Sequence, residues 1–206
     1  MKVAIVGGTG AFGRGLAARW HEAGVDITIG SRDAARARER AAVLGVSGET
    51  NEQAVGDADL VVLAVQSSAA IETARALAPL LGAAPVLCVA SDLRFEKGGV
   101  SPARSSGSIA EDVAALVPGP VVSGFQALPA AQLAQSGLLD EDVLVCGDDA
   151  AAKQLVLELG QFLVSGRAID AGPLANARAL EGMTAVIVHV NRTYKVVAGL
   201  KLTGFP

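Results

Sequence analysis

The feature that most constrains this fold is a glycine-rich turn near the N-terminus, between an apolar run and a segment of helical length. Residues 1–7 end directly at this turn, and Gly8, Gly10 and Gly13 fill the glycine positions of the pattern G-x-G-x-x-G. Such a turn removes Cβ atoms where a backbone approaches a pyrophosphate, and it leaves unpaired helix N–H groups pointing at the anion. The spacing alone is compatible with an ordinary tight corner. Its context, a strand before it and a helix and second strand after it, favours a dinucleotide site.

The order of apolar runs and Ala-rich segments predicts consecutive βαβ units. Aromatic residues make up 3% of the chain and apolar residues 51%, so Ala, Val, Leu and Ile must build the core. That composition is typical of parallel sheets covered by helices on both faces. The strands predicted in the first half are residues 2–7, 25–30, 59–65 and 85–90, with helices at 12–23 and 33–44. We therefore predict an α/β fold with a Rossmann-type, doubly wound, mostly parallel sheet.

The second half of the chain continues this pattern. Periodicity fails over residues 91–107, which predicts a long loop, and Ser108 with Glu111 forms a capping box that starts the next helix. Further strands are predicted at 121–125, 143–146 and 167–170, helices at 108–117 and 149–163, and a long final helix from 173 onward. Because no linker interrupts these elements, residues 1–206 are predicted to form a single nucleotide-binding domain.

The C-terminal part, residues 172–206, is predicted to be a helical appendage. Apolar residues lie on several sides of the segment 185–202. Such a helix packs either on its own domain or on a partner subunit, and both arrangements would give the same pattern. We expect a homodimer that associates through this helix.

Charge and hydropathy exclude several classes of partner. The formal net charge is −4, and no run of Lys or Arg is long enough to bind nucleic acid. The N-terminal apolar run is too short for a signal peptide, and His189, Arg192 and Lys195 interrupt the most apolar late segment, which argues against a membrane span. Cys88 and Cys146 each sit in an apolar run, where reduced core thiols are expected. We expect small-molecule ligands and a cytoplasmic location.

The end of the second predicted strand indicates which nucleotide is bound. An NAD site carries Asp or Glu there, which accepts hydrogen bonds from the adenosine ribose and repels a 2′-phosphate. This chain has Ser31 and Arg32 instead, and Arg36 follows one helical turn later. A guanidinium offers a planar fork of donors that suits a phosphate. We therefore expect NADP(H), with Asp33 as a helix N-cap; a solvated basic helix face is the alternative explanation for the arginines.

The nicotinamide is expected over the carboxyl ends of the third and fourth predicted strands, because ligands of open α/β sheets lie there. Val65 and Gln66 follow one of these strands, and Ala90 ends the other. The amide of Gln66 and the hydroxyls of Ser67, Ser68 and Ser91 either orient the ring or cap the next helix.

The sequence shows no acid–base constellation, and we predict no catalytic side chain. His21 is expected on the surface and His189 in a packed or interface position, and there is no Ser-His-Asp spacing, Tyr-x-x-x-Lys pair or metal cluster. Dehydrogenation of an alcohol needs a positioned acid or base, whereas transfer between two hydride carriers mainly needs stacked rings and excluded water. We therefore favour a cofactor-to-cofactor reaction over a small-molecule dehydrogenase with Asn176 or His189 near its substrate.

Three groups of residues resemble the NADP oxidoreductases that depend on coenzyme F420, a deazaflavin hydride carrier. They are the glycine turn with residues 13–17 after it, the strand end at residues 30–32, and the late runs 145–149 and 170–178. The late runs are the most specific, because neither is a general dinucleotide-fold feature. The glycine turn is also similar to that of the cytosolic oxidoreductase domain of the six-transmembrane metalloreductases, which pass hydride from NADPH to a flavin.

The resemblance implies hydride transfer between NADP(H) and F420 by a dinucleotide domain with a small C-terminal part and a symmetric assembly. It implies that residues 9–12 line the pyrophosphate, that residues 31, 32 and 36 hold the 2′-phosphate, and that the deazaflavin lies over the nicotinamide in a cleft bordered by 125–131. The cofactor-binding residues expected are Gly8, Thr9, Gly10, Ala11, Phe12, Gly13, Ser31, Arg32, Arg36, Val65, Gln66, Ala90, Pro129 and Ala130.

The sequence departs from this family where the second carrier would bind. Deazaflavin-dependent members often show His or Asn before the Pro/Ala turn, where this chain has Gln126. Arg94, Lys97 and Arg104 could meet an acidic cofactor tail or belong to a solvated loop. FMN or FAD as the second carrier, or NADP(H) as the regulatory ligand of a non-catalytic binding protein, are the alternative functions.

Overall fold

The computed structural model describes residues 1–205 and contains ten strands. They are β1 Lys2–Val6, β2 Asp26–Ser31, β3 Ser47–Thr50, β4 Leu60–Leu63, β5 Val86–Cys88, β6 Leu93–Glu96, β7 Gly99–Pro102, β8 Val121–Gly124, β9 Val143–Gly147 and β10 Ala168–Asp170. Eight of them form one sheet in the order β10-β9-β8-β5-β4-β1-β2-β3, and β6 and β7 form a separate hairpin.

Helices connect these strands and cover both faces of the main sheet. They are α1 Ala11–Glu22, α2 Ala34–Leu44, α3 Asn51–Ala54, α4 Ser67–Leu77, α5 Ile109–Ala114, α6 Ala130–Leu133, α7 Ala150–Gln161 and α8 Ala177–Tyr194. Short 3₁₀ turns at Ala78–Leu80 and Leu174–Asn176 follow α4 and precede α8. Side-chain oxygens of Asp33, Thr50, Ser108 and Asp149 accept backbone N–H groups at the starts of α2, α3, α5 and α7, so these helices begin where their caps predict.

The sheet is parallel from β3 to β8 and changes direction only at its far edge. Strand β9 runs antiparallel to β8, and β10 runs parallel to β9. The chain places β2 and β3 on one side of β1 and β4, β5 and β8 on the other. This reversal beside β1 is the topological switch point at which such sheets bind ligands. The predicted Rossmann-type, mostly parallel fold with a C-terminal helix is confirmed.

Two apolar layers hold the sheet between its helices. On one face, residues of α1 and α7 pack together, and the fully buried Trp20 donates from Nε1 to the Leu159 carbonyl at 3.0 Å. On the other face, α4, α5 and the start of α8 cover the sheet through residues such as Ala70, Val113 and Leu180. Because both layers are mainly aliphatic, the strands can be buried on both sides, as the low aromatic content predicts.

Residues 91–107 are not the long loop that their composition predicts. Strands β6 and β7 form an antiparallel hairpin within them, with Leu93 opposite Pro102 and Glu96 opposite Gly99. The hairpin packs on α8, where the Val100 N–H donates to Nδ1 of His189 at 3.3 Å. The prediction was wrong because this long-range contact, rather than a local apolar pattern, stabilises the hairpin.

The final helix ends earlier than predicted. It stops at Tyr194, where Lys195 adopts a left-handed φ of 54°, and residues 195–205 contain no helix. The side chain of Asn191 accepts the Ala198 N–H, and Asp142 accepts the Leu202 N–H. Side chains therefore satisfy backbone donors that a continued helix would have satisfied.

Several elements besides the hairpin were given no predicted bounds, among them β3 and the one-turn helices α3 and α6. Strand β3 and the one-turn helix α3 fill the stretch between α2 and β4, and helix α1 begins at Ala11, two residues before the third glycine. Within residues 1–205, none of the helices is long and apolar enough to cross a membrane.

Candidate functional site

The register of the parallel strands gathers their carboxyl ends into one row. Val6 pairs with Gly30 on one side and with Leu63 on the other, Leu63 pairs with Cys88, and Cys88 pairs with Ser123. The row runs from Gly30 to Ser123, and these two ends lie four strand spacings apart, a distance of roughly 19 Å. The segments after β1, β2, β4, β5 and β8 therefore line a single edge, at the switch point.

The glycine turn follows β1 at this edge. The Gly8 N–H donates to the carbonyls of Ile5 and Gly30, and the Gly10 N–H donates to the Gly7 carbonyl at 3.1 Å. Gly10 is also the N-cap of α1, with no side-chain cap hydrogen bond and no acidic residue in the first turn. The first N–H groups of this twelve-residue helix are therefore available to an anion.

The glycines of this turn differ in how much space the surrounding protein leaves for a side chain. A Cβ on Gly8 would lie 2.7 Å from the Ile5 carbonyl oxygen, and one on Gly13 would lie 2.7 Å from the Gly8 Cα. A Cβ on Gly10 would meet no atom closer than 3.5 Å. Packing of the protein therefore requires Gly8 and Gly13 but leaves open space at Gly10. In dinucleotide folds generally, the middle glycine of this pattern is the one that a pyrophosphate approaches.

Ser31 ends β2, Arg32 follows it, and Arg36 lies in the first turn of α2. The Ser31 hydroxyl accepts the Asp33 N–H at 3.2 Å, and Asp33 in turn accepts the N–H groups of Ala35 and Arg36. Asp33 is thus the N-cap of α2, as predicted. Arg32 and Arg36 are both exposed, and within residues 1–205 neither side chain has an ion-pair partner.

The segments after β4 and β5 lie beside the glycine turn. Val65 is half-buried and packs against Gly7, whose Cβ would come within 2.7 Å of the Val65 Cγ1. Gln66 is exposed and is the N-cap of α4 through its backbone only, so Ser67 is the first helical residue. Ala90 is buried. The hydroxyl of Ser91 is bonded to that of Thr184 on α8 at 3.2 Å.

The segment after β8 forms the next wall of the edge. Phe125 is buried with a left-handed φ of 70° and packs against Trp20 at 6.2 Å between ring centroids. Pro129 and Ala130 are half-buried at the start of α6, which contacts α1. The Leu133 carbonyl accepts from Nε of Arg19. Helix α1 therefore positions both the glycine turn and this wall.

Some of the positively charged residues of the hairpin segment are engaged in contacts within the protein. Arg94 donates to the Ala103 carbonyl, and Arg104 forms an ion pair with Asp112. Lys97 is exposed. Hydrogen bonds or ion pairs thus engage two of these three cations, which reduces the charge available to an acidic cofactor tail.

The two late runs that resemble the family build a joint away from the glycine turn. The Gly147 N–H donates to the Gly172 carbonyl at 3.0 Å, and Oδ1 of Asp148 accepts the Leu174 N–H at 2.9 Å. Lys153 forms an ion pair with Asp170. These contacts fix the start of α8 against β9 and β10. The residues of these two runs therefore have a structural role.

The structure also places three residues that the sequence analysis considered, namely Asn176, His21 and His189. Asn176 is exposed and donates to the Ala171 carbonyl, His21 is exposed, and His189 accepts the hairpin N–H. Burial raises the pKa of Cys88 to about 12 and that of Cys146 to about 11, so both are unreactive thiols.

Two residues of this region were not predicted. Glu181 on α8 is 6% exposed and accepts the N–H groups of Ile109 and Ala110, and burial raises its pKa to about 7. The buried hydroxyl of Ser123 accepts from Gln126. Neither position carries a local sequence signal, because each depends on contacts between distant segments.

Comparison with known proteins identifies the family. A family model described as NADP oxidoreductase coenzyme F420-dependent matches residues 2–90. An F420-dependent NADP reductase from Methanothermobacter thermautotrophicus is 33% identical over 224 aligned positions, which cover 100% of this chain and 96% of that protein. The chain belongs to the F420-dependent NADP oxidoreductase family. An F420-dependent NADP reductase from Methanocaldococcus jannaschii is also 33% identical, with 98% of both chains covered.

The fold of the family is also seen in a solved structure. A protein from Arthrobacter sp. FB24 superposes with a TM-score of 0.86 and 24% identity, covering 99% of this chain and 100% of that one. This likeness extends over the hairpin and the C-terminal segment as well as the sheet. The family resemblance seen in the sequence is confirmed by the identity to the F420-dependent NADP reductases.

Proposed function

We propose that this oxidoreductase transfers a hydride between NADP(H) and coenzyme F420. The observation that carries the proposal is the 33% identity, over the entire chain, to an F420-dependent NADP reductase. The structure supports it with an open strand edge at the switch point of the sheet. When bound, the two cofactors supply the hydride donor and acceptor rings, and the protein has to hold, orient and shield them.

The glycine turn is proposed to hold the pyrophosphate. Gly8, Thr9, Gly10, Ala11, Phe12 and Gly13 form the turn and the first residues of α1. The uncapped helix N-terminus offers N–H donors and a positive dipole end to the anion. The free space above Gly10 supports close approach of the backbone to a phosphate.

Ser31, Arg32 and Arg36 are proposed to hold the 2′-phosphate of the adenosine ribose. Both arginine side chains are exposed; Arg32 directly follows β2, and Arg36 lies in the first turn of α2. The Asp33 carboxylate is engaged with two backbone N–H groups of α2. The charge of this end of the site is therefore favourable for NADP(H) rather than NAD(H).

Val65, Gln66 and Ala90 are proposed to lie under the nicotinamide, with Pro129 and Ala130 bordering the cleft for the second ring. These residues line the segments after β4, β5 and β8 on one edge. We infer that the rings react when stacked, without an acid–base side chain. The protein contributes orientation and exclusion of water.

Mixing the protein with NADPH and oxidised F420 tests this function directly. We expect loss of the deazaflavin absorbance with the stoichiometric formation of NADP⁺. Turnover of FMN or FAD with none of F420 would indicate a flavin reductase instead. Tight NADPH binding with no oxidation by any carrier would indicate a non-catalytic binding protein.

We further propose that residues 1–206 act as a single NADP-binding domain in the cytoplasm, assembled as a homodimer through α8. Exposed apolar side chains at Val186, Tyr194 and Val197 lie on or just after α8 and support a subunit contact there. Cys88 and Cys146 are unpaired thiols, which supports a reducing compartment. Light scattering of the purified protein tests the assembly, and a monomeric mass would contradict it.

A further inference from the structure

The reacting end of the site contains an amide whose orientation the structure fixes, that of Gln126. Its Nε2 donates to Oγ of Ser123 at 2.6 Å and to the Cys88 carbonyl at 3.4 Å. A backbone carbonyl can only accept, so turning the amide over would set Oε1 against the Cys88 oxygen. The amide nitrogen therefore faces the sheet, and Oε1 faces away from these two partners.

The preceding residue fixes the backbone of Gln126. Phe125 has a φ of 70°, in the left-handed region that costs a non-glycine residue about 1 kcal/mol or more. Its ring is 2% exposed, and its carbonyl accepts the Leu128 N–H at 3.0 Å. Such a conformation persists only where the surrounding contacts determine it, and it is common at binding sites.

Register places Gln126 next to the end of β5, between the expected nicotinamide position and the segment assigned to the second ring. Cys88 and Ser123 are the last paired residues of β5 and β8, so their partner Gln126 lies at the carboxyl edge. Within residues 1–205, no donor is hydrogen-bonded to its Oε1. The half-buried side chain borders a mainly apolar cavity of about 20 Å³. This space holds one water molecule but no aromatic ring. An aromatic ring therefore does not fit inside this cavity.

We propose that Oε1 of Gln126 accepts a hydrogen bond from the carboxamide N–H of the nicotinamide and so fixes the rotation of that ring. The inference rests on the proposed function, which supplies the position of the nicotinamide. Because Nε2 is held by two acceptors, the amide presents an acceptor and no donor to the ligand. The imide N–H of a deazaflavin has the same chemistry, and the experiment has to separate these two sources.

The test compares nucleotides that differ in this single donor. Calorimetry measures binding of NADP⁺ and of its acetylpyridine analogue, in which a methyl group replaces the carboxamide NH₂. Wild type is expected to prefer NADP⁺ by roughly fivefold to tenfold, the effect of one hydrogen bond. In Gln126→Met and Gln126→Leu the preference should fall below about twofold, because leucine has no acceptor and the methionine thioether is only a weak one.

Gln135→Met is the matched control, because Gln135 is exposed just after α6. It should keep the wild-type preference. A wild type that binds both nucleotides equally would overturn the proposal, and so would Gln126 variants that keep the wild-type preference. The first of these outcomes needs no variant, so a folding defect cannot hide the answer.

A second arm examines the other cofactor. Turnover with a deazaflavin methylated at its imide nitrogen is compared with turnover of the unmodified carrier, and Gln126→Met should leave that ratio unchanged. If the variant changes this ratio and keeps the nucleotide preference, Gln126 contacts the second carrier and the proposal is wrong. Nucleotide binding does not require hydride transfer. A wild type without turnover would therefore refute the proposed function and leave calorimetry to decide the role of Gln126.

Discussion

At the residue scale, the glycine turn separates the requirements of the fold from those of the ligand. A Cβ on Gly8 would clash with a backbone oxygen, whereas a Cβ on Gly10 would have room. We expect Gly8→Ala to lower the free energy of unfolding by roughly 2 kcal/mol. Gly10→Ala should change it by less than about 1 kcal/mol. The Gly10 variant should nevertheless bind NADPH more than about tenfold more weakly, because the added methyl group occupies the space of the pyrophosphate.

Urea unfolding and NADPH titration of both variants check this contrast. The wild-type protein is the reference for each measurement. Gly10→Ala with wild-type nucleotide affinity would place the pyrophosphate elsewhere.

Arg32 carries the prediction for nucleotide selectivity at the same scale. Arg32→Asp should weaken NADPH binding by more than about tenfold and leave NADH binding unchanged, because it removes a charge-assisted contact and adds repulsion of the 2′-phosphate. Arg38→Asp, at an exposed position of α2, is the control for charge alone. Equal loss of both nucleotides in the Arg32 variant, measured by fluorescence titration, would show that Arg32 does not discriminate between them.

At the element scale, local sequence patterns predicted the βαβ units of the N-terminal half. They failed where side chains remote in sequence stabilise the backbone conformation. The strands near residues 2–7 and 25–30 follow from apolar runs, and the capping box at Ser108 starts α5 as predicted. The hairpin depends on His189 and the C-terminal segment on Asp142, both remote in sequence. The same distinction holds within the candidate site. Its residues at the strand ends could be predicted from the order of the elements. The fixed amide of Gln126 could not, because it depends on the register of β5 and β8.

Asp142 joins the start of β9, Arg167 and the C-terminal segment. Its carboxylate is fully buried and accepts from the Arg167 guanidinium and from the N–H groups of Arg167 and Leu202. The Arg167 hydrogen bonds hold the pKa of Asp142 at about 2. We expect Asp142→Asn to lower the free energy of unfolding by about 3 kcal/mol at neutral pH. Asp140→Asn, an exposed ion-pair partner of Lys201, should change it by less than about 1 kcal/mol.

The pH dependence of this loss has a definite sign. A carboxylate with a lowered pKa stabilises the fold above its unfolded value of 3.8, and that stability is lost as the pH falls through about 2. The difference between wild type and Asp142→Asn should therefore shrink when urea unfolding is repeated near pH 3. A difference that stays constant with pH would mean that the variant acts through packing and not through the charge.

At the scale of the whole molecule, Asp142 and Glu181 should shape opposite sides of the pH–stability profile. Burial raises the pKa of Glu181 from 4.5 to about 7, although the Ala110 and Ile109 N–H groups and Arg104 oppose the shift, and Asp92 reinforces it. The ionised form is disfavoured in the folded state. Its contribution is thus fully present below pH 4.5 and is lost as the pH rises through about 7.

The stability of the whole chain should accordingly be greatest between about pH 4 and pH 5 and fall by roughly 2–3 kcal/mol by neutral pH. Glu181→Gln should flatten this fall, because an amide oxygen can still accept from the start of α5 without burying a charge. Glu39→Gln, at an exposed position of α2, should keep the wild-type slope. Urea unfolding across this pH range decides the matter. If Glu181→Gln and wild type lose stability with the same slope, then Glu181, which links α8 to the start of α5, does not control the loss of stability near neutral pH.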